Sequence, residues 1–222
     1  MSAAAQPGPG AGRGPERLAI FGATGGIGGY LLSWAVDAGY PVHVLARNAA
    51  AVPHRPGVTV TEGDATDPEA VAGAVAGADA VLSALGPRGA KTPGLLAAAA
   101  SAITGAMEKS GTRRLICVSA AGAFIREDPE TNPLVKIILP RIFAKSFADV
   151  REMERVVRAG PLDWTLVRPT RLVNAPGTGQ YRVSDRYPPP GLTKIARADV
   201  AQFMITALTA DGYLRQAPAL CW

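Results

Sequence analysis

Short apolar runs and longer amphipathic segments alternate along the first half of the chain. The apolar runs predict strands at 17–22, 42–46, 58–61, 79–85 and 114–119. Helices are predicted between them at 26–38, 68–76 and 95–109, with Gly39 ending the first and Asp67 capping the second. Because strands that alternate with helices build parallel βαβ units, the pattern predicts an α/β fold. We expect a Rossmann-like, doubly wound parallel sheet in a single domain.

The pattern loosens after residue 120 and predicts fewer elements. Residues 120–140 are expected to be rich in loops, followed by a helix at 143–158 and a strand at 163–167 that ends at Arg168-Pro169. A short strand near 180–183 and a helix at 198–208 complete the prediction. The prolines of 187–191 predict a stiff loop, which is either a substrate lid or a simple connection. Residues 1–16 are rich in Pro, Gly and Ala and predict a disordered leader, which leaves 17–222 for a dinucleotide-binding domain.

The segment GATGGIG follows the first predicted strand and opens the first predicted helix. In that context glycines allow a tight turn, let the backbone approach a pyrophosphate and let the helix pack against the strand. The pyrophosphate then lies at the positive end of the helix. The alternative is a glycine-rich turn that binds nothing. The residues expected to hold the dinucleotide here are Gly22, Thr24, Gly25, Gly26, Ile27 and Gly28.

The end of the second strand indicates which dinucleotide is bound. Enzymes that use NAD usually place Asp or Glu there, where the carboxylate accepts hydrogen bonds from the adenosine ribose. In this chain the strand ends with Arg47, and no carboxylate stands near it. The planar guanidinium of an arginine suits a ribose 2′-phosphate, although a solvated surface arginine is the alternative. We therefore expect NADP(H) as the cofactor, with Arg47 at its 2′-phosphate.

Two further strand ends supply candidate cofactor contacts. Asp64 and Ala65 follow the third strand, in a loop that borders the adenine in this fold. The Asp64 carboxylate either accepts a bond from the exocyclic amine or caps a turn. Leu85 and Gly86 end the fourth strand, at the edge of the sheet where cofactors lie. Gly86 either lets the dinucleotide pass closely or is an ordinary turn glycine.

The segments GATGGIG, VLARN, EGDATD and DWTLVRPTRL together resemble the atypical short-chain dehydrogenase/reductases with an NAD(P)H-binding, NmrA-like fold. The later segments PGTGQY and ARADVAQFMITAL are similar to the B-type biliverdin reductases, which are also known as flavin reductases. This resemblance implies that Ser119 lies beside the nicotinamide. It also implies that the RPTRL loop, which contains Pro169, lies near the cofactor and the substrate.

Two departures from the family pattern bear on catalysis. Classical members of the superfamily use a Tyr-x-x-x-Lys pair, in which the tyrosine exchanges a proton, whereas Arg141 stands four positions before Lys145 here. A histidine of the flavin-reductase relatives is replaced by Arg171, whose guanidinium cannot donate a proton near neutral pH. Arg171 either pairs with a phosphate or carboxylate of the substrate or bonds backbone carbonyls.

These residues favour an NADPH-dependent reductase of a small planar conjugated acceptor, such as a flavin, a quinone or a tetrapyrrole. An acceptor that takes its proton from solvent needs no tyrosine, because the nicotinamide supplies the hydride. Ser119 and Arg171 are the candidate catalytic residues. Ser119 is expected to donate a hydrogen bond to the acceptor or to the nicotinamide amide, or else to satisfy a backbone group. The alternative function is a non-catalytic NADP(H)-binding redox sensor, and an epimerase of nucleotide sugars is a weaker candidate because it needs the tyrosine.

Charge and composition narrow the range of partners. The net charge is +5, but the basic residues are scattered along the chain, so nucleic acid is not expected. No apolar run reaches the roughly 18 residues of a membrane span, and two cysteines and two histidines in unrelated places suggest no metal site. The lack of an export signal favours the cytoplasm. The sequence leaves the oligomeric state open and is compatible with a monomer.

Overall fold

The structure is a computed structural model that describes residues 15–86, 93–189 and 194–222. Residues 1–14 of the predicted leader, and Pro190 and Gly191 of the predicted stiff loop, lie outside the described residues. In the described part of the chain, no helix is both long enough and apolar enough to cross a membrane.

The described residues contain six α-helices and ten β-strands. The helices are Gly28–Asp37 (α1), Pro68–Val75 (α2), Leu95–Ser110 (α3), Pro133–Ile142 (α4), Ala144–Ala159 (α5) and Arg197–Thr206 (α6). The strands are Leu18–Phe21 (β1), Val42–Ala46 (β2), Val58–Glu62 (β3), Ala80–Ser83 (β4), Arg114–Val118 (β5), Asp163–Pro169 (β6), Arg171–Val173 (β7), Arg182–Ser184 (β8), Lys194–Ala196 (β9) and Ala219–Cys221 (β10).

The strands form one large sheet and one small one. The large sheet has eight strands in the order β3-β2-β1-β4-β5-β6-β10-β8, and the small one pairs β7 with β9. All neighbours are parallel except β8, which runs antiparallel to β10. The chain moves outward from β1 to β3 and then returns to β4 on the other side of β1, so the strand order reverses between β1 and β4. This arrangement confirms the predicted doubly wound, mostly parallel sheet.

Helices cover both faces of the large sheet, because the side chains of its central strands alternate between two apolar layers. In β1, Leu18 and Ile20 pack into the layer that contains α1 and α6. Ala19 and Phe21 point into the opposite layer, with α2, α3 and α5. All four side chains are fully buried. The two layers hold the central strands, and therefore the loops at their carboxyl ends, in place.

The structure corrects the prediction that residues 120–140 are rich in loops. This stretch contains a 3₁₀ turn at Ala121–Phe124 and the helix α4. Asn132 caps α4, because its Oδ1 accepts a hydrogen bond from the backbone N–H of Leu134 at 2.8 Å. The sequence pattern misses α4 because the helix contains Pro140, and its apolar side chains are exposed instead of packing into the core.

The carboxyl half differs from the prediction in two further respects. Strand β6 continues through Arg168 and Pro169 instead of ending before them, because β10 pairs with both residues. Strands β7, β9 and β10 have three residues each, which is too short for a periodic pattern to reveal.

Candidate dinucleotide and acceptor site

Gly22 and Gly28 form the turn between β1 and α1. The φ angle of Gly22 is 82°, which L side chains rarely adopt, and a Cβ there would lie 2.7 Å from the backbone of Ala84. A Cβ on Gly28 would lie 1.9 Å from the carbonyl oxygen of Gly22. The tight turn and the close packing of the helix on the strand therefore both require glycine, as in a dinucleotide-binding loop.

The middle of the loop leads directly into α1. The N–H of Gly25 donates to the carbonyl of Gly22 at 2.9 Å, and the Gly25 carbonyl accepts a bond from the first turn of α1. Thr24 and Gly26 are exposed, whereas Ile27 is buried. Among the described residues, no side chain caps the helix at Ile27. The positive end of α1 therefore faces the carboxyl edge of the sheet, where it stabilises an anion such as a pyrophosphate.

Arg47 and Asp64 lie near each other beyond the paired ends of β2 and β3, where Ala46 stands opposite Glu62. Arg47 is exposed, and none of the ion pairs within the described ranges includes it. Asp64 accepts bonds from the hydroxyl and the backbone N–H of Thr66 at 2.7 and 2.8 Å. The pKa of the Asp64 carboxyl is lowered mainly by the bond from the Thr66 hydroxyl, and then by the backbone bond and the charge of Arg47.

Asp64 therefore caps a turn, which is one of the two roles that the sequence allows for it. Its neighbour Ala65 is partly buried against the layer of α2, α3 and α5. Arg47 is left as an exposed cation beside this turn, at the place where the ribose 2′-phosphate of a dinucleotide is expected.

Leu85 and Gly86 follow β4, next to the glycine loop. The N–H of Ala84 donates to the carbonyl of Phe21 at 2.9 Å, which ties the end of β4 to the end of β1. Leu85 packs partly against the apolar layer. A Cβ on Gly86 would meet no atom of the described residues within 4 Å. The packing of the described protein therefore gives no reason for a glycine at position 86.

Ser119 lies directly after β5 and is tied to a buried ionic cluster. Its hydroxyl donates to Oε1 of Glu154 at 2.6 Å. The Glu154 carboxylate also accepts bonds from Nε and Nη2 of Arg168, at 2.9 and 2.7 Å. The side chains of Glu154 and Arg168 are only 2% and 6% exposed. In this structure the Ser119 hydroxyl donates to Glu154, and its hydrogen bond to the acceptor or to the nicotinamide amide stays a prediction.

Two further side chains complete this cluster. Arg158, one turn after Glu154 on α5, places Nη2 at 3.1 Å from Oε2 of Glu154. The guanidinium of Arg168 lies 3.6 Å from the ring centroid of Phe124, in the turn that follows Ser119. A buried carboxylate requires such partners. The sequence pattern misses Glu154, although helical spacing places it among the other buried residues of α5, which are Asp149, Val150, Met153 and Val157.

Pro169 and Arg171 flank the connection between β6 and β7. Pro169 is buried and pairs with Leu220, whereas Arg171 is exposed at the start of β7. The Arg171 side chain contacts no hydrogen-bond or ion-pair partner within the described residues. The alternative in which Arg171 bonds backbone carbonyls is therefore not observed, and its charge is open to a ligand.

Arg141, and not tyrosine, stands four residues before Lys145, and no tyrosine of the chain precedes a lysine at that spacing. Lys145 is exposed in the first turn of α5. Arg141, four residues earlier, lies in α4 and donates to the carbonyl of Ile137 at 2.7 Å. A guanidinium keeps its proton at any physiological pH.

Helix α4 exposes apolar side chains beside the turn that follows Ser119. It packs against the Ala121–Phe124 turn and against α5. Leu134, Ile138 and Ile142 lie on one side of the helix and are 63%, 46% and 67% exposed. We call these three residues the apolar surface of α4. Both charged residues of the helix are basic. Contiguous exposed apolar surfaces are frequent at sites that contact a ligand or a partner.

The described residues contain no cluster of metal ligands and no reactive thiol. None of their His, Cys, Asp and Glu side chains form a group of three or more that could hold a metal ion. Burial raises the pKa of the Cys117 thiol to about 12, and burial also raises the pKa of Cys221. Both thiols are therefore protonated at neutral pH and are poor nucleophiles.

Comparison with known proteins places the chain among nucleotide-binding proteins. The family model described as NAD(P)H-binding matches residues 22–211. A protein of Bacillus subtilis (strain 168), named uncharacterized sugar epimerase YhfK, is 31% identical over 205 residues. That match covers 86% of this chain and 87% of the relative.

Solved structures share the fold over nearly the whole chain. ChuY, an anaerobillin reductase from Escherichia coli O157:H7, is 25% identical, with a TM-score of 0.78 over 92% of this chain and 96% of its own. A short-chain dehydrogenase/reductase of the wide type from Veillonella parvula DSM 2008, solved in complex with NADP, is 21% identical. Its TM-score is 0.79, over 94% of this chain and 95% of its own. Because the family match begins at the first glycine of the loop and spans most of the chain, this protein belongs to the NAD(P)H-binding family.

Proposed function

We propose that this protein is an NADPH-dependent reductase that transfers a hydride to a small planar conjugated acceptor, such as a flavin, a quinone or a tetrapyrrole. The observation that carries the proposal is the bond from Ser119 to Glu154, together with the presence of Arg141, and not tyrosine, four residues before Lys145. Neither residue supplies a proton to a bound substrate. When bound, the nicotinamide supplies the hydride. An acceptor that takes its proton from water therefore suits this site better than a simple ketone, whose alkoxide needs a proton donor.

The preference for NADPH rests on Arg47. This exposed cation follows β2 and has no ion-pair partner in the described part of the chain. A 2′-phosphate provides the anion that such a guanidinium binds through two parallel hydrogen bonds. Two carboxylates lie near it in the described residues, and both are engaged: Asp64 accepts bonds from Thr66, and Glu62 accepts a bond from the backbone N–H of Ala49.

The acceptor class rests on the surfaces around Ser119. The apolar surface of α4 offers a flat conjugated ring an apolar contact, and the helix packs against the turn that follows Ser119. Arg171 offers an exposed cation to an acidic group of the acceptor. The name of ChuY, an anaerobillin reductase 25% identical to this chain, supports a tetrapyrrole within this class.

The name of YhfK points to a different reaction, the epimerisation of a sugar. Epimerases of this superfamily need the tyrosine that exchanges a proton with a sugar hydroxyl. In this chain no tyrosine stands four residues before a lysine, and Arg141 stands there before Lys145. We therefore favour the reductase.

The test measures whether the purified protein consumes NADPH in the presence of FMN, FAD, quinones or biliverdin. Consumption is followed by the absorbance of NADPH, and NADH is tested in parallel. Turnover with one acceptor class, faster with NADPH, supports the proposal. Tight binding of NADPH without consumption by any acceptor contradicts it and favours a redox sensor. Conversion of a nucleotide sugar without net consumption of NADPH contradicts it in favour of an epimerase.

A further inference from the structure

The small sheet carries two polar residues to the glycine loop. Val173 of β7 pairs with Ala196 of β9 at the carboxyl ends of the two parallel strands. Asn174 and Arg197, the next residues, therefore lie side by side. Nη1 of Arg197 donates a hydrogen bond to Oδ1 of Asn174 at 2.6 Å.

The side chain of Arg197 lies across Gly26, in the middle of the glycine loop. A Cβ built on Gly26 would be 2.7 Å from Cδ and 2.8 Å from Nε of Arg197. The φ angle of Gly26 is not positive, so the backbone does not require a glycine there. The arginine side chain occupies the space that a Cβ at position 26 would fill, so a larger residue there would displace it.

The charge of Arg197 is held in place but is not neutralised. Within the described residues no ion pair includes it. Asp199, two residues later, is occupied: its carboxylate accepts bonds from the backbone N–H of Thr178 and of Gly179, both at 2.9 Å, and from Nε1 of Trp222 at 2.7 Å. These bonds anchor the start of α6, and Arg197 with it. A fixed, unpaired guanidinium beside a helix N-terminus is suited to an anion.

We propose that Arg197 binds the pyrophosphate of the dinucleotide, with Asn174 orienting its guanidinium and Gly26 making room for its side chain. The pyrophosphate is then held between the N-terminus of α1 on one side and a cation of α6 on the other. NADPH and NADH share this pyrophosphate, so Arg197 contributes to the binding of both. The proposal rests on dinucleotide binding and not on the reductase reaction.

The substitution Arg197→Gln tests this assignment by equilibrium binding, measured by calorimetry. Hydrogen bonds to charged groups are strong, so we expect the Kd values of NADPH, NADH and ADP-ribose all to rise roughly 10- to 100-fold. The ratio of the Kd values for NADPH and NADH should stay unchanged. Binding of 2′-AMP, which has no pyrophosphate, should also stay unchanged. Arg113→Gln, at the amino end of the sheet, is the control and should change none of these values.

A second variant tests the link between Gly26 and Arg197. Gly26→Ala places a Cβ in the space of the arginine side chain, so it should weaken cofactor binding to a similar extent. The double variant Gly26→Ala/Arg197→Gln should bind the cofactor only slightly more weakly than either single variant, because both substitutions remove the same contact. Gly29→Ala is the control, since its Cβ would meet only the carbonyl oxygen of Ala23 at an ordinary 3.8 Å. Arg197→Lys keeps the charge without the planar fork and should restore part of the affinity.

Each other outcome overturns the assignment. A loss confined to NADPH would make Arg197 a ligand of the 2′-phosphate. An unchanged cofactor Kd with a raised KM for the acceptor would place it in the acceptor site. Additive losses in the double variant would show that Gly26 acts independently of Arg197. Thermal unfolding of every variant establishes that the compared proteins are folded.

Discussion

The hydroxyl of Ser119 donates its hydrogen to Oε1 of Glu154 at 2.6 Å, inside a cluster that water hardly reaches. Glu154 stands on α5, and Arg168, which holds the same carboxylate, stands on β6. The cluster thus joins the end of β5, α5 and β6 below the candidate acceptor site. Ser119 is therefore positioned by a buried charge that already engages its hydroxyl hydrogen.

Glu154→Gln should destabilise the protein by about 3–5 kcal/mol, because it leaves the buried charge of Arg168 without its carboxylate. The free energy of unfolding in urea measures this loss. Glu152→Gln, the same substitution on the exposed side of α5, removes only a surface pair with Arg155 and should change stability little. An equal effect of the two variants would show that the buried cluster contributes no more than a surface ion pair.

Gly28→Ala should abolish dinucleotide binding or prevent folding, because its Cβ would lie 1.9 Å from the carbonyl oxygen of Gly22. Gly29→Ala, one residue later in α1, has room for its Cβ and replaces a helical glycine, so it should be neutral or stabilise the protein by up to about 1 kcal/mol. Thermal unfolding and NADPH titration compare the two variants. Normal binding by Gly28→Ala would contradict the packing described for the loop.

Arg47→Ala should weaken NADPH binding roughly 10- to 100-fold and leave NADH binding unchanged, because only NADPH carries the 2′-phosphate. Arg113→Ala is a suitable control, since Arg113 pairs with Asp163 at the amino end of the sheet, away from the cofactor. The measurement is the pair of Kd values for the two nucleotides. An unchanged preference between them would remove the basis for assigning NADPH.

Replacing both Leu134 and Ile138 by serine should raise the KM for the acceptor about threefold to tenfold, because an apolar contact is lost. The Kd for NADPH should not change. Leu214→Ser provides the control, since Leu214 is also an exposed leucine, 37% exposed, but lies outside α4. Steady-state kinetics with the acceptor found in the turnover screen give both constants. If the acceptor KM is unaffected, the apolar surface of α4 does not bind the acceptor.

His43 should make stability fall with decreasing pH. Its side chain is buried in β2, with Nε2 2.8 Å from Oγ1 of Thr61. Burial, and to a lesser degree the charge of Arg17, lower its pKa below the ordinary value of 6.5. Below about pH 6.5 the unfolded chain therefore binds a proton that the folded chain does not, so stability decreases from there down to the folded-state pKa.

Urea unfolding between pH 5 and 8 measures this dependence. His43→Asn should flatten the decrease, whereas His54→Asn, at an exposed position, should leave it as in the unaltered protein. If stability decreases equally with pH in the unaltered protein and in both variants, groups other than His43 cause the decrease.

The alternation of strands and helices could be predicted because it depends on residues that are neighbours in the chain. Strand β2 has the predicted bounds, and Asp67 caps α2 as expected, with its Oδ1 accepting the N–H of Glu69 at 3.0 Å. The glycine loop could be located for the same reason. Its glycines are required by the turn that they themselves form, as the contact between Gly22 and Gly28 illustrates.

The sequence by itself determined the alternation of strands and helices, the glycine loop and the strand end with Arg47, since local spacing and turn geometry are sufficient for each. Only the tertiary structure decided what surrounds Ser119 and Gly26. Glu154 on α5 contacts Ser119 after β5, and Arg197, which follows β9, contacts Gly26. Strands β7 and β9 pair with each other and are too short for a sequence pattern to reveal. Such contacts depend on which strands become neighbours at the carboxyl edge of the sheet, and chain packing, not residue spacing, decides that order.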